Sequence, residues 1–145
     1  KFYRLIAPRP TVCVASKSSE GIPNLAPYSF VMPLSFDPPL IGVGLGKDRD
    51  TLLNIRQTKE FVVSPVTKDW MESAVESEVS LPLTESEFEE FETGDHFLLV
   101  GEIVNIDLEI DTVKNGRINL EGLGGLGHVS GNEFCLSEKV IEINR

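Results

Sequence analysis

The segment Asp37-Pro38-Pro39-Leu40-Ile41-Gly42-Val43-Gly44-Leu45 joins a forced turn to a β-strand. Neither proline can donate to a β-ladder, so the turn occupies Asp37-Pro38-Pro39 and the strand runs Leu40–Leu45. Two glycines in alternation leave one face of that strand bare. Glycine weakens a strand, so this pattern predicts that something lies close against the bare face.

Working outward, the chain before this segment reads as strands separated by strong punctuation. Thr11-Val12-Cys13-Val14-Ala15, after Pro8-Arg9-Pro10, is a β-branched run suited to a buried strand. Ser18-Ser19-Glu20-Gly21 is turn chemistry, closed by Pro23-Asn24, and Tyr28-Ser29-Phe30-Val31-Met32 reads as the next strand. Beyond the segment, Asp50–Ile55 is predicted as a short helix with Asp50 or Thr51 as its N-cap. Phe61–Val66 is a fourth strand. The stretch Lys68–Glu92 turns acidic and weakly helical, with short helices expected at Trp70–Val75 and Glu85–Glu90; the acidic run Glu85–Glu92 reads as a solvated face. Strand character returns over Phe97–Ile106. Asp111–Arg117, containing Asn115-Gly116, is a loop or tight turn. Glycine-dense Gly122–Gly131 is expected to be irregular, and Val140–Ile143 to form a last edge strand. There is no internal repeat or low-complexity tract. Many short strands, Gly/Pro turns and few helices predict a mainly β chain, a barrel or a sandwich.

The 145 residues suit one domain spanning 1–145. No run approaches the ~18 apolar residues of a spanning helix, and no signal-peptide pattern is present, so a cytoplasmic location without membrane association is expected. A formal net charge of −10 argues against nucleic-acid partners, which need clustered Lys and Arg. A small anionic cofactor needs only a local pocket of donors. Cys13 and Cys135 have no metal-ligand spacing and are too few for a disulfide scaffold; Cys13 is predicted to be core. No Ser-His-Asp arrangement stands out, and no Gly-x-Gly-x-x-Gly precedes a helix, so no catalytic residue and no Rossmann site are assigned.

Several motifs recur in one order: Pro8-Arg9-Pro10; Gly21-Ile22-Pro23-Asn24-Leu25-Ala26-Pro27-Tyr28-Ser29-Phe30; Ser35-Phe36-Asp37-Pro38-Pro39-Leu40; Lys47 with Asp50–Ile55; Glu60–Val63; and Gly94-Asp95-His96 with Gly101–Val104. In that order and spacing the chain resembles the flavoredoxin branch of the flavin reductase-like, FMN-binding split-barrel family. The resemblance implies a Greek-key split barrel with a few short helices, working as a homodimer with FMN at the subunit interface. It implies an NAD(P)H:flavin oxidoreductase or an electron-transfer protein fed by a protein donor. A non-catalytic FMN carrier, or a relative binding another cofactor such as haem, are the alternatives. Relatives carry a longer connection before Gly94-Asp95-His96, so a shortened or missing loop is expected near 90–94. They also differ around Gly124-Gly125-Leu126-Gly127-His128.

FMN offers a dianionic phosphate, which calls for backbone N–H groups, hydroxyls and a cation near a helix start. Gly46, Lys47 and Thr51 supply that set, with Arg9 as a further candidate. The flat ring calls for backbone groups along its polar edge, expected from Asn24, Leu25, Ala26, Pro27, Tyr28 and Ser29. Gly44 would allow close approach to the strand, and His128 would cover the ring or meet a nicotinamide. His96 is expected to make a structural hydrogen bond.

Overall fold

The strand carrying Gly42 and Gly44 is the middle of the largest sheet. The computed structural model describes residues 2–67, 88–108, 113–114, 117–118, 125–130 and 133–136. In chain order these form a 3-10 turn (Phe2–Leu5), β1 (Arg9–Pro10), β2 (Val12–Lys17), β3 (Pro23–Tyr28), β4 (Val31–Phe36), β5 (Pro39–Gly46), α1 (Asp50–Thr58), β6 (Val62–Pro65), β7 (Phe88–Thr93), β8 (His96–Glu102), β9 (Val113–Lys114), β10 (Arg117–Ile118), β11 (Leu126–Ser130) and β12 (Glu133–Leu136). The antiparallel sheets have the orders β4-β5-β8-β7, β3-β2-β6, β1-β11-β12 and β10-β9. This is the mainly β split barrel expected from the motifs. Among the described residues no helix is long and apolar enough to cross a membrane.

The core lies between β2, the inner face of β5–β8 and helix α1. Val14, Val43, Leu45, Leu52, Ile55 and Leu99 are fully enclosed there, and Val12 joins them. Burying each of the larger side chains contributes about 2–3 kcal/mol. Strand β2 is buried over most of its length, which is why its sequence is a continuous apolar run rather than an alternation. Cys13 is within it, and burial pushes its thiol up from the ordinary range.

Proline marks the sheet edges. Pro10, Pro23, Pro27, Pro33 and Pro65 all lie in edge strands, and Pro39 is the first residue of β5. Those are the places where a missing N–H costs no ladder bond. Thr11, Val66 and Leu126 then join the β3-β2-β6 sheet to the β1-β11-β12 sheet. Thr11 N donates to Leu126 O (3.0 Å), Leu126 N to Val66 O (3.2 Å), and Val66 N to Thr11 O (2.9 Å). The three residues thus form a closed ring of main-chain bonds, and all three are buried.

Several expectations are corrected. The strand read over Tyr28–Met32 is broken at Ser29-Phe30, where the chain leaves β3 for a different sheet. Asp50 and Thr51 are the first two helical residues; the N-cap position is Arg49, without a side-chain cap bond. Pro23-Asn24 opens β3 rather than closing a turn. Phe88–Glu90, placed in a helix, belongs to β7, where pairing along β8 overrides weak helical propensity. Leu126–Ser130, expected to be irregular, is strand β11; a Cβ at Gly127 would lie 2.7 Å from Pro8 Cβ and 2.9 Å from Cys135 Sγ, so this glycine marks close packing. Strand β8 stops at Glu102, and Val104, Ile106 and Leu108 are exposed. One α-helix and one 3-10 turn stand among the described residues where a few short helices were expected. Within the stretch read as a loop or tight turn, Val113–Lys114 and Arg117 belong to the antiparallel pair β9–β10, while Asn115-Gly116 lies outside the described residues. Near 90–94, β7 passes into β8 through the turn Gly94-Asp95, so the connection is short. The helix expected at Trp70–Val75 and the strand at Val140–Ile143 lie outside the described residues.

Candidate functional site

Strand β3 is an edge strand: β2 pairs with one side of it, and among the described residues no strand pairs with the other. Its alternate residues divide by role. Leu25 packs toward Cys13, Val66 and Leu126 in a second core cluster, while Pro27 is exposed. On the opposite alternation, Asn24 and Tyr28 reach up to the first turn of α1. Asn24 Nδ2 lies 2.8 Å and Tyr28 Oη 2.9 Å from Thr51 Oγ1. Ala26, half-buried, sits between them in the strand. Thr51 is 1% exposed, so its hydroxyl is enclosed at the junction of strand and helix. Ser16 Oγ extends the network, 3.4 Å from Asn24 Nδ2 and 3.2 Å from Asn54 Nδ2. Sequence reasoning found Asn24, Tyr28 and Thr51 but missed Ser16 and Asn54. The spacing of Thr51 and Asn54, on one side of a helix, was the available signal.

The groups expected to meet a phosphate are near this helix start but differently occupied. Lys47 Nζ pairs with the Glu92 carboxylate across β7 and faces the Phe97 ring at 5.7 Å. That pairing holds the Glu92 carboxyl below the usual range, through the hydrogen bond first and the charge second. Arg49, the N-cap residue, passes beside Gly46, with its Nε 3.7 Å from where a Cβ would stand. Tyr28 feels several neighbours: burial raises its phenol, while the Thr51 hydrogen bond and the Arg49 charge lower it and Asp50 raises it, for a net upward shift.

Ser29 begins a second network. Its Oγ lies 2.9 Å from His128 Nδ1, and Arg9 Nη2 lies 3.0 Å from the same nitrogen. Arg9 is 8% exposed and also donates to Ile6 O (2.7 Å), Val129 O (3.2 Å) and Ser29 Oγ (3.4 Å). Its guanidinium carbon is 5.7 Å from the Phe30 ring centre. A guanidinium only donates, so Nδ1 of His128 accepts and the ring proton belongs on Nε2. His128 packs against Phe134, with ring centres 5.1 Å apart. The arrangement ties β1, the β3–β4 junction and β11 together, rather than leaving Arg9 as a solvated charge.

Gly44 needs a different account from the one the sequence suggested. A Cβ there would stand 3.0 Å from Phe30 Cβ, and one at Gly42 would stand 2.9 Å from Leu34 Cδ1. The bare face of β5 is therefore covered by side chains of its own neighbour. Phe30, Met32 and Leu34 are 41%, 54% and 42% exposed, so they form an apolar outer face. At the far end, His96 Nδ1 bonds Asp95 Oδ1 at 2.8 Å, the structural bond expected of it, and holds the Asp95 carboxyl below its ordinary range.

Comparison with known proteins bears on this arrangement. The family described as "Flavin reductase like domain" matches residues 3–91. The protein BH2278 of Halalkalibacterium halodurans is 31% identical over 154 residues, covering 95% of this chain and 70% of that one. Three other relatives match over 40%, 46% and 45% of their own length, so the chain spans less than half of them. Among solved structures, an FMN-binding protein from Thermus thermophilus superposes with a TM-score of 0.83 at 21% identity, covering 99% of this chain and 94% of that one. Flavoredoxin from Methanosarcina acetivorans superposes with a TM-score of 0.80 at 16% identity, covering 93% and 88%. At those identities the likeness is one of fold.

Proposed function

This chain belongs to the flavin reductase-like family, and from that premise we propose that it binds FMN and acts as an oxidoreductase taking electrons from NAD(P)H or a protein donor. The observation that carries this reading is the bonding of Asn24 and Tyr28 to Thr51. It locks the free edge of β3 to the N-terminal turn of α1. An extended strand edge offers main-chain donors and acceptors of the kind a flavin ring needs. A helix start with Lys47 and Arg49 favours a phosphate. Backbone groups of Asn24–Ser29 would hold the ring, and the first turn of α1 the phosphate. Because Lys47 is paired with Glu92, it would reach a phosphate only by exchanging one anion for another. The flavin, when bound, supplies hydride and single-electron chemistry, while the protein orients it.

The proposal includes a homodimer. Phe30, Met32 and Leu34 leave the outer face of β4–β5 apolar, and a second copy of the chain would cover it.

An absorbance spectrum of the purified protein, followed by anaerobic addition of NADPH and NADH, tests the reading. A flavin spectrum that bleaches with one nucleotide identifies an oxidoreductase and its donor. One that persists in both, and also with reduced protein donors, leaves an FMN carrier. Protein that takes up no FMN refutes the cofactor assignment. Sedimentation of the same sample on dilution tests the dimer, which a monomer at micromolar concentration would exclude.

A further inference from the structure

We propose that the cavity between the β2–β3 turn and helix α1 binds a primary alkylammonium group, carried by a small amine or by a lysine side chain of a partner. Ile22, Pro23 and Leu53 form its apolar wall, and Asn24, Asp50 and Asn54 its polar one. Its volume is about 230 Å³, below the ~300 Å³ at which drug-sized ligands begin, so it suits a short chain with one polar end.

The polar wall points to a ligand that donates. Asn54 is 9% exposed, and its Nδ2 donates to Ser16 Oγ at 3.2 Å. Asn24 turns its Nδ2 the same way, toward Ser16 Oγ (3.4 Å) and Thr51 Oγ1 (2.8 Å). A serine hydroxyl has one proton and cannot satisfy two amide oxygens, whereas its oxygen accepts from two amide nitrogens. Both nitrogens are therefore turned inward. The two Oδ1 atoms have no hydrogen-bond partner among the described residues. For Asn54, nine-tenths buried and lining the cavity, an oxygen without a donor is costly unless something in the cavity supplies one.

Asp50 adds a third acceptor, an anionic one, and no lining side chain is a cation. A primary ammonium matches this set, with three N–H donors, no acceptor and one positive charge. Its carbon chain would lie along Ile22 and Leu53, which are 61% and 51% exposed and would lose apolar surface to it. The net charge of −10 favours approach of a cation. The same wall disfavours a phosphate, which the Asp50 carboxylate repels. The phosphate position proposed above is instead flanked by Lys47 and Arg49, and neither lines this cavity. The inference therefore stands apart from the flavin reading.

Titration of isotope-labelled protein at neutral pH, followed by amide chemical shifts, tests it with n-butylammonium, n-butanol, a capped lysine and inorganic phosphate. Butylammonium is expected to saturate shifts at Ile22, Leu53 and Asn54 in a roughly millimolar range, as befits so small a ligand, and butanol to bind at least tenfold more weakly. Asp50→Asn keeps the shape and should weaken butylammonium about tenfold. Leu53→Trp fills the cavity from a half-exposed position and should abolish the shifts. A capped lysine that binds as tightly as butylammonium identifies a partner protein as the source, and one that does not bind identifies a small amine. Butanol equal to butylammonium, an Asp50→Asn variant that binds as the parent does, or no shift with any probe overturns the proposal. Phosphate shifting the same residues, or displacement of butylammonium by saturating FMN, would make the cavity an end of the flavin site and also overturn it.

Discussion

Tyr28 and Ser29 are adjacent in the chain, yet each belongs to a different polar network. Tyr28 joins Asn24, Thr51, Ser16 and Asn54, all neutral, in a cluster between an edge strand and a helix start. Ser29 joins His128 and Arg9, where a buried guanidinium draws main-chain carbonyls and side chains from three parts of the chain. The first network uses neutral side chains to tie one corner of an edge strand to a helix start. The second uses a long, multiply donating side chain to hold separate segments together. Arginine suits that second task because its planar fork meets several acceptors at once. The two networks diverge at the residue where the chain passes from one sheet to another.

The comparison can be broken most forcibly at its charged end. Arg9→Met keeps the length of the side chain but removes donors from Ile6 O, Val129 O, Ser29 Oγ and His128 Nδ1. It should cost about 3 kcal/mol, read as a lower urea midpoint with unchanged slope. A loss below about 1 kcal/mol would mean that water replaces the guanidinium and that the strap is not structural. Thr51→Val tests the neutral end. It deprives Asn24 and Tyr28 of their shared partner and should cost about 1–2 kcal/mol in the same measurement. A cost equal to that of Arg9→Met would erase the contrast between the networks.

The smallest effect belongs to Lys47 and Glu92, which lie outside both networks and near the surface. The folded-state carboxyl of Glu92 is depressed by Lys47, so its contribution is present above the unfolded carboxylate range and is lost as pH falls through the folded value. Thermal midpoints of Glu92→Gln and the parent should differ slightly at pH 7 and converge in acid. Midpoints that separate further in acid would show that Glu92 has a partner other than Lys47.

Much of the fold was legible because its signals are local. Proline and glycine punctuation located the β4–β5 turn, and the β-branched run around Val14 is a central strand. The prolines of β1, β3, β4 and β6 turned out to lie in edge strands, a pattern visible only once the pairing was in hand. What misled was where a residue's role depends on distant partners. Gly44 was read as bare for a ligand, but Phe30 covers it. Gly127 was read as loop chemistry, but it sits in a strand too crowded for a side chain. Arg9 was read as a candidate for a phosphate, and nothing near it in sequence hints at His128 or Val129. Thr51 was assigned as a possible cap, yet its hydroxyl serves Asn24 and Tyr28 across the strand–helix junction. Composition and spacing carry no record of such pairings.

The ring of main-chain bonds through Thr11, Val66 and Leu126 has a consequence for the order of assembly. Its three members come from the beginning, the middle and the end of the chain, so no pair of them can meet without closing a long loop. Local pairs such as β4–β5 and β7–β8 can zip without it. The seam is therefore a contact that rewards the chain only after β11 has emerged, and its formation marks the moment at which the β1-β11-β12 sheet is tied to the β3-β2-β6 sheet.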